Sequence, residues 1–268
     1  MKLDRDFLEC ALEVAQRAAD AARAVILPHW RARDFEVVTK ADLTPVTIAD
    51  REAEAAIKRV LRAAFPDHAY FGEEEGREGE GDFLWLIDPI DGTKAFVRGY
   101  PMFSTQIALM HRGELVLGVS DAPVYGERAW ALRGGGAFLR VGDDEARHLQ
   151  VSAAQAFDAQ AAISTGNLKS LAANASRWQA YGDLVRRVGR IRGYGDFLHY
   201  HLLARGAMDL VIESDLNILD IAPLVLIVRE AGGVFTDLDG QAIGLESRSA
   251  LAGTPALHAQ ALAAFNPD

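Results

Sequence analysis

Trp85-Leu86-Ile87-Asp88-Pro89-Ile90-Asp91-Gly92-Thr93-Lys94 is an apolar run that ends in two carboxylates three residues apart, set around a proline. The apolar part reads as a strand over Phe83 to Ile87, and Gly92-Thr93 as a turn into a helix. Strands of this kind seldom finish in paired acids, because an ionised carboxylate away from water is costly unless something compensates it. The pattern makes sense if the acids hold a hard cation and the Gly92 and Thr93 amides face an anion. Magnesium and phosphate are the pair that fits.

Two other segments supply acids of the same kind. In Phe71-Gly72-Glu73-Glu74-Glu75 the glycine lets the chain turn sharply before the carboxylates. Asp220 opens an apolar helix, where a carboxylate suits the macrodipole. Magnesium takes a near-octahedral oxygen shell and is usually held by few carboxylates, waters and a substrate phosphate. Glu73, Asp88, Asp91 and Asp220 therefore suffice for two or more ions if Asp88 bridges. Pro89 keeps Asp88 extended, which makes the Ile90 carbonyl a further ligand candidate. A plainer reading stands beside this one: Asp220 as a helix cap, and Glu74 and Glu75 as solvent-facing charges.

The chain has 268 residues, half of them apolar, enough for one large domain or two closely packed halves. Asp and Glu outnumber Lys and Arg by 38 to 28, so the net charge of −10 argues against a nucleic-acid partner, which calls for a basic face. No stretch reaches the ~18 consecutive apolar residues of a membrane span. Met1 to Asp6 lacks the pattern of a secretory signal, and the expected location is cytoplasmic. The single cysteine, Cys10, falls in an alanine-rich helical pattern and reads as a small packing residue.

The apolar periodicity predicts a helix over 4–27, ended by Pro28, and a second from Thr47 to Ala64 with Thr47 as N-cap and Asp50 three residues on. Strands are expected at 83–87, 104–110 and 115–122, and a hairpin at 129–132 and 137–141. A soft boundary near 150 divides an N-terminal α+β half, 1–150, from a C-terminal α/β half, 151–268. The second half should hold strands near 161–164, 190–192, 209–212 and 234–236, and helices near 176–188, 197–205 and 221–231. Mixed hairpins and crossovers point to an α/β protein of helices layered on mixed sheets.

Gly72-Glu73-Glu74, Trp85 to Thr93, and Asp220-Ile221-Ala222 through Glu230-Ala231-Gly232-Gly233 resemble the two signatures of the inositol monophosphatase family of magnesium-dependent phosphatases. The resemblance covers nearly the whole chain in order. It implies five alternating layers, αβαβα, a homodimer, and a lithium-sensitive site with two or three magnesium ions. Leu219 stands where the family commonly has Trp. Leu43 to Asp50, Phe96-Val97-Arg98-Gly99 and Tyr194-Gly195-Asp196-Phe197 resemble more narrowly the histidinol-phosphate phosphatase branch.

By this resemblance Glu73, Asp88 and the Ile90 carbonyl hold one ion, and Asp88, Asp91 and Asp220 a second. Gly92 and Thr93 bind phosphate, while Thr93 and Asp50 act with Glu73 to orient the attacking water. Glu213 grips the leaving group, Asp196 adds a second acid to the pocket, and Lys40 lies near the metals. Arg98 approaches the phosphate or pairs with a surface acid, Asp50 and Asp196 also read as helix-start acids, and Lys40 also reads as a surface charge. His199 and His201, two apart, diverge on a helix and read as packing or surface residues. Two acids suit a cationic leaving group such as histidinol. The expected reaction is hydrolysis of L-histidinol phosphate, a small phosphate monoester, in histidine biosynthesis. Inositol 1-phosphate or a range of sugar phosphates is the rival substrate, and a metal-binding regulator without catalysis is the reading from a different class.

Overall fold

The computed structural model describes residues 4–33, 37–39 and 45–267 of the chain. Helix α1 (Arg5–Ala32) is capped by Asp4, whose side chain accepts the Asp6 amide at 3.2 Å. It buries Leu8, Ala11, Val14, Ala15, Ala18, Ala19, Ala22 and Ile26, a stripe at helical spacing. That stripe leaves Cys10 exposed, so the expectation of a packed cysteine fails. The helix also continues one turn past Pro28. A proline removes only one backbone bond near a helix end, and tertiary contacts hold the extra turn. Trp30 packs on Phe96 and Phe103, with ring centroids at 5.7 and 4.9 Å, and His29 bonds Glu52 at 3.0 Å.

Strands β1 (Val37–Thr39) and β2 (Pro45–Thr47) pair antiparallel and lead into helix α2 (Ile48–Ala64). Then come β3 (Ala69–Gly72), β4 (Gly76–Glu78), β5 (Phe83–Asp91), the short helix α3 (Thr93–Arg98), β6 (Ser104–His111), β7 (Glu114–Ala122), β8 (Glu127–Leu132), β9 (Gly136–Val141) and β10 (Arg147–His148). The order β10-β9-β8-β7-β6-β5-β3-β4 makes one sheet, antiparallel except where β3 runs parallel to β5.

The rest of the chain supplies β11 (Ala162–Thr165), α4 (Lys169–Ala173), α5 (Ala175–Val185), β12 (Arg190–Arg192), α6 (Asp196–Ala204) and β13 (Leu210–Ser214). It ends with α7 (Ile218–Glu230), β14 (Val234–Thr236), β15 (Ser249–Gly253) and α8 (Pro255–Phe265). The second sheet has the order β12-β11-β13-β15-β14; β11 is parallel to both its neighbours, and the β13–β15 and β14–β15 pairs are antiparallel.

The layers alternate. α1 and α2 cover one face of the first sheet, α6 and α7 lie between the sheets, and α4, α5 and α8 cover the outer face of the second. This is the αβαβα arrangement. α7 is apolar on every side because it is buried on every side, with Ile218, Leu219, Ile221, Ala222 and Leu224 to Val228 all in the core. Leu219 is among these packed residues. No helix among the described residues is long and apolar enough to cross a membrane.

Candidate active site

In a regular strand, residues three apart point to opposite faces. Asp88 and Asp91 nonetheless converge, because β5 bulges between them: Asp88 faces Gln106 and Asp91 faces Ser104, three residues on one strand against two on the other. The extra residue brings both carboxylates to one side. Thr105 Oγ1 donates to the Pro89 carbonyl at 2.8 Å and the Ile90 amide to Asp88 Oδ1 at 3.0 Å, which fixes the bulge. Ser104 Oγ and Gln106 Nε2 donate to Asp91 Oδ2 at 3.2 and 3.3 Å. Gly92 follows at φ +91°, where a Cβ would meet the Met102 carbonyl at 2.7 Å, so the turn into α3 demands glycine.

Asp220 arrives from the other half of the chain. It is the third residue of α7, and its carboxylate accepts the Asn217 backbone amide at 2.8 Å and the Asn217 side-chain amide at 2.9 Å. Asn217 in turn accepts the Leu219 amide at 2.7 Å. The capping reading and the cluster reading are therefore both true of its position. Asp88, Asp91 and Asp220 each offer an oxygen within 4.8 Å of the others. Glu73, at the turn after β3, hydrogen-bonds Asp88 and bears electrostatically on Asp50 and Asp220.

The electrostatics follow from crowding. Burial, then the charges of Glu73, Asp91 and Asp220, hold Asp88 well above the ordinary carboxylate range. Burial, then Asp196 and Asp220, do the same to Asp91. Asp220 is pushed up to about 7 by burial, against the Asn217 amide and with help from Glu73, Glu213 and Asp196. Acids this close cannot all ionise without a cation among them. An all-oxygen, all-carboxylate set of this kind fits a hard divalent ion such as magnesium and offers nothing soft for copper or zinc.

Asp50 sits in the first turn of α2, its Oδ2 accepting the Thr47 amide at 2.7 Å and the Thr47 hydroxyl at 2.6 Å. Its Oδ1 lies 3.2 Å from Thr93 Oγ1, which is also 3.0 Å from the Ile90 carbonyl. The helix-start role and the contact with Thr93 thus coexist. Burial raises the Asp50 carboxyl, opposed by the Thr47 bonds.

Glu213, on β13, is 6 % exposed. Its Oε2 receives the Tyr200 hydroxyl at 2.8 Å and faces His199 Nε2 at 3.1 Å. Asp196 begins α6 at φ +46° after Gly195, an uncommon backbone for a non-glycine residue, and Gly195 rather than Asp196 holds the cap position. Burial and the charge of Glu213 push Asp196 up to about 6, while His199 and Lys94 pull against them. Asp196 and Glu213 both bear on Asp91 and Asp220, so the two groups of acids form one continuous anionic site.

Some expected residues fall elsewhere. Lys40 lies outside the described residues, and Arg98 is exposed. Glu75 is exposed as expected, but Glu74 is half-buried. His199 and His201 diverge as the helical spacing requires, yet neither is a surface residue: both are fully buried against carboxylates. His201 meets Glu127 at 2.7 Å and Ser120 at 2.9 Å. Tyr200, His199 and Lys94 surround the two pocket acids, a role that no local pattern in the sequence assigns them.

Residues 8–267 match the profile of the Inositol monophosphatase family. A histidinol-phosphatase of Streptomyces coelicolor is 41% identical to the chain, with 97% of this chain and 98% of that protein aligned. A histidinol-phosphatase of Mycobacterium tuberculosis is 40% identical over 98% of this chain and 99% of its own length. Among solved structures, the extragenic suppressor protein suhB from Bartonella henselae superposes with a TM-score of 0.86 at 30% identity, covering 96% of this chain and 99% of that one.

Proposed function

The chain belongs to the inositol monophosphatase family of phosphoric monoester hydrolases, and from that premise we propose that it releases phosphate from L-histidinol phosphate with magnesium as cofactor. The observation that carries the substrate is the pair Glu213 and Asp196, both acids, whose charges bear on Asp91 and Asp220 of the acidic cluster. Histidinol carries an ammonium and an imidazole, and two carboxylates recognise such a group far better than they recognise a neutral polyol. Two relatives of nearly full-length coverage bear the name histidinol-phosphatase, which supports the same substrate.

In this reading Glu73, Asp88 and the Ile90 carbonyl hold one magnesium, and Asp88, Asp91 and Asp220 another; a third ion would use Glu73 with water. Magnesium held there would supply acidification of water and neutralisation of charge on the phosphoryl oxygens and the leaving oxygen. Thr93 places its hydroxyl between Asp50 and the Ile90 carbonyl, and Asp50 is itself held by two bonds from Thr47. This fixed chain, with Glu73, orients the attacking water and receives its proton at the Thr93 hydroxyl relayed to Asp50. The Gly92 and Thr93 amides bind phosphate oxygens, and Glu213 and Asp196 bind the leaving histidinol. Lys40 adds a positive charge nearby.

The same reading puts Glu73, Asp88 and Asp91 in residues 1–150 and Asp220, Asp196 and Glu213 in 151–268, within one compact unit. It also places the protein in the cytoplasm, as a homodimer, at a late step of histidine biosynthesis. Phosphate release from histidinol phosphate and inositol 1-phosphate, each with and without magnesium, tests it. A preference in kcat/KM for histidinol phosphate that vanishes under chelation is expected. A decisive preference for inositol 1-phosphate would replace the substrate, and cation binding with no ester hydrolysed would leave a regulator.

A further inference from the structure

Glu54 and Lys58 lie one turn apart on α2 and are buried, at 0% and 2% exposure. A buried ion pair on a helix is weak evidence for stability, since desolvation offsets most of the attraction. Its partners show what it does. Glu54 Oε2 accepts the Glu74 amide at 2.8 Å and Oε1 accepts the Glu75 amide at 3.1 Å. Lys58 Nζ then reaches Glu54, Glu75 and Glu78, each at 2.8 Å, which uses all three of its donors.

These two amides are the ones that directly follow Glu73. On its other side the Glu73 amide donates to the Ile87 carbonyl at 3.1 Å, next to Asp88. Glu73 is the one acid of the cluster that stands on a turn between two strands rather than in a strand or at a helix start. The turn is held at both ends. Gly72 completes the arrangement: a Cβ there would lie 2.1 Å from Glu54 Oε1, so any side chain would expel the carboxylate.

We propose that Glu54, seated by Lys58, is a positioning residue that fixes the Glu73 turn for cation binding. α2 then serves the site twice, with Asp50 toward Thr93 and, four residues on, Glu54 toward the turn. Carboxylates that hold a ligand in place commonly govern metal affinity without touching the metal. The inference rests on Glu73 being a cation ligand.

Manganese binding followed by electron paramagnetic resonance, with no substrate present, tests it in Glu73→Gln, Glu54→Gln and Gly72→Ala. Affinity is expected to fall about tenfold or more in all three, with KM for the phosphate ester nearly unchanged at saturating cation in Glu54→Gln and Gly72→Ala. If Glu73→Gln binds manganese normally, the ligand assignment fails. If it binds weakly while folded Glu54→Gln and Gly72→Ala bind like the unaltered protein, the brace fails. Amide hydrogen exchange in the unaltered protein covers the case of variants that do not fold. Slow exchange at Glu74 and Glu75, on a par with β5, is expected, and exchange at the rate of an open turn overturns the proposal.

Discussion

Asp220→Asn should stabilise the cation-free protein above neutral pH while weakening its response to magnesium. Asp220 is pushed up to about 7 from 3.8 by burial and then by neighbouring acids, against the Asn217 amide. The raised value belongs to the folded state, which therefore holds the proton more tightly than the unfolded chain. Below about pH 4 both states are protonated and the group has no effect; stability then falls as pH rises and the loss is complete above about pH 7. At 1.36 kcal/mol per pH unit the cost is ~4 kcal/mol at about pH 8 and ~2 kcal/mol at about pH 5. Asparagine carries no charge and keeps an acceptor for the Asn217 backbone amide. Its own NH2 opposes the Asn217 side-chain amide now bonded at 2.9 Å, which forfeits about 1–2 kcal/mol. The net gain is about 2–3 kcal/mol at the higher pH and near zero at the lower.

Thermal unfolding by calorimetry, with chelator, measures this. A Tm higher by roughly 5–10 °C at about pH 8 and unchanged within ~2 °C at about pH 5 is expected. Magnesium should raise the Tm of the unaltered protein more than that of the variant, which keeps only the ion held by Glu73, Asp88 and the Ile90 carbonyl. A variant less stable than the parent at the higher pH, or equally stabilised at both, would refute the idea that crowded charge sets the character of this cluster.

Asp88→Asn, which removes the proposed bridging ligand, should leave the fold intact and bring magnesium-dependent phosphate release below about 1% of the parent rate; circular dichroism and a single-turnover assay check the two halves of that statement. Glu213→Gln should raise KM for histidinol phosphate about tenfold or more while changing KM little for an ester with an uncharged leaving group, such as phenyl phosphate, and equal effects on both esters would remove Glu213 from leaving-group recognition. Gly92→Ala forces a side chain into the Met102 carbonyl at a left-handed φ, and denaturant unfolding should show a loss of about 1–3 kcal/mol.

The layered architecture was legible because the periodicities in strands β5 to β9 and helices α1, α2 and α7 are strong. Its boundaries were less so. The apolar pattern predicts that β5 stops at Ile87, yet it runs on to Asp91, since a bulge keeps both acids inside a strand and no local pattern announces a bulge. β15 and α8 fall outside the elements that the apolar pattern predicts, although Thr254 accepting the Leu257 amide and Pro255 at the first helical position are a recognisable start. The acids of the site were identified by motif, and the structure brings Asp88, Asp91 and Asp220 together from distant parts of the chain. What supports them was hidden. Glu54, Lys58 and Tyr200 look like ordinary helix residues, and only packing shows that they face carboxylates and amides rather than water.

Anomalous diffraction from crystals soaked in manganese tests the central claim most directly. Peaks are expected among the carboxylates of Asp88, Asp91 and Asp220, with Glu73 and the Ile90 carbonyl completing the shell. A cluster with no anomalous density, or manganese bound only elsewhere on the acidic surface, would contradict the account.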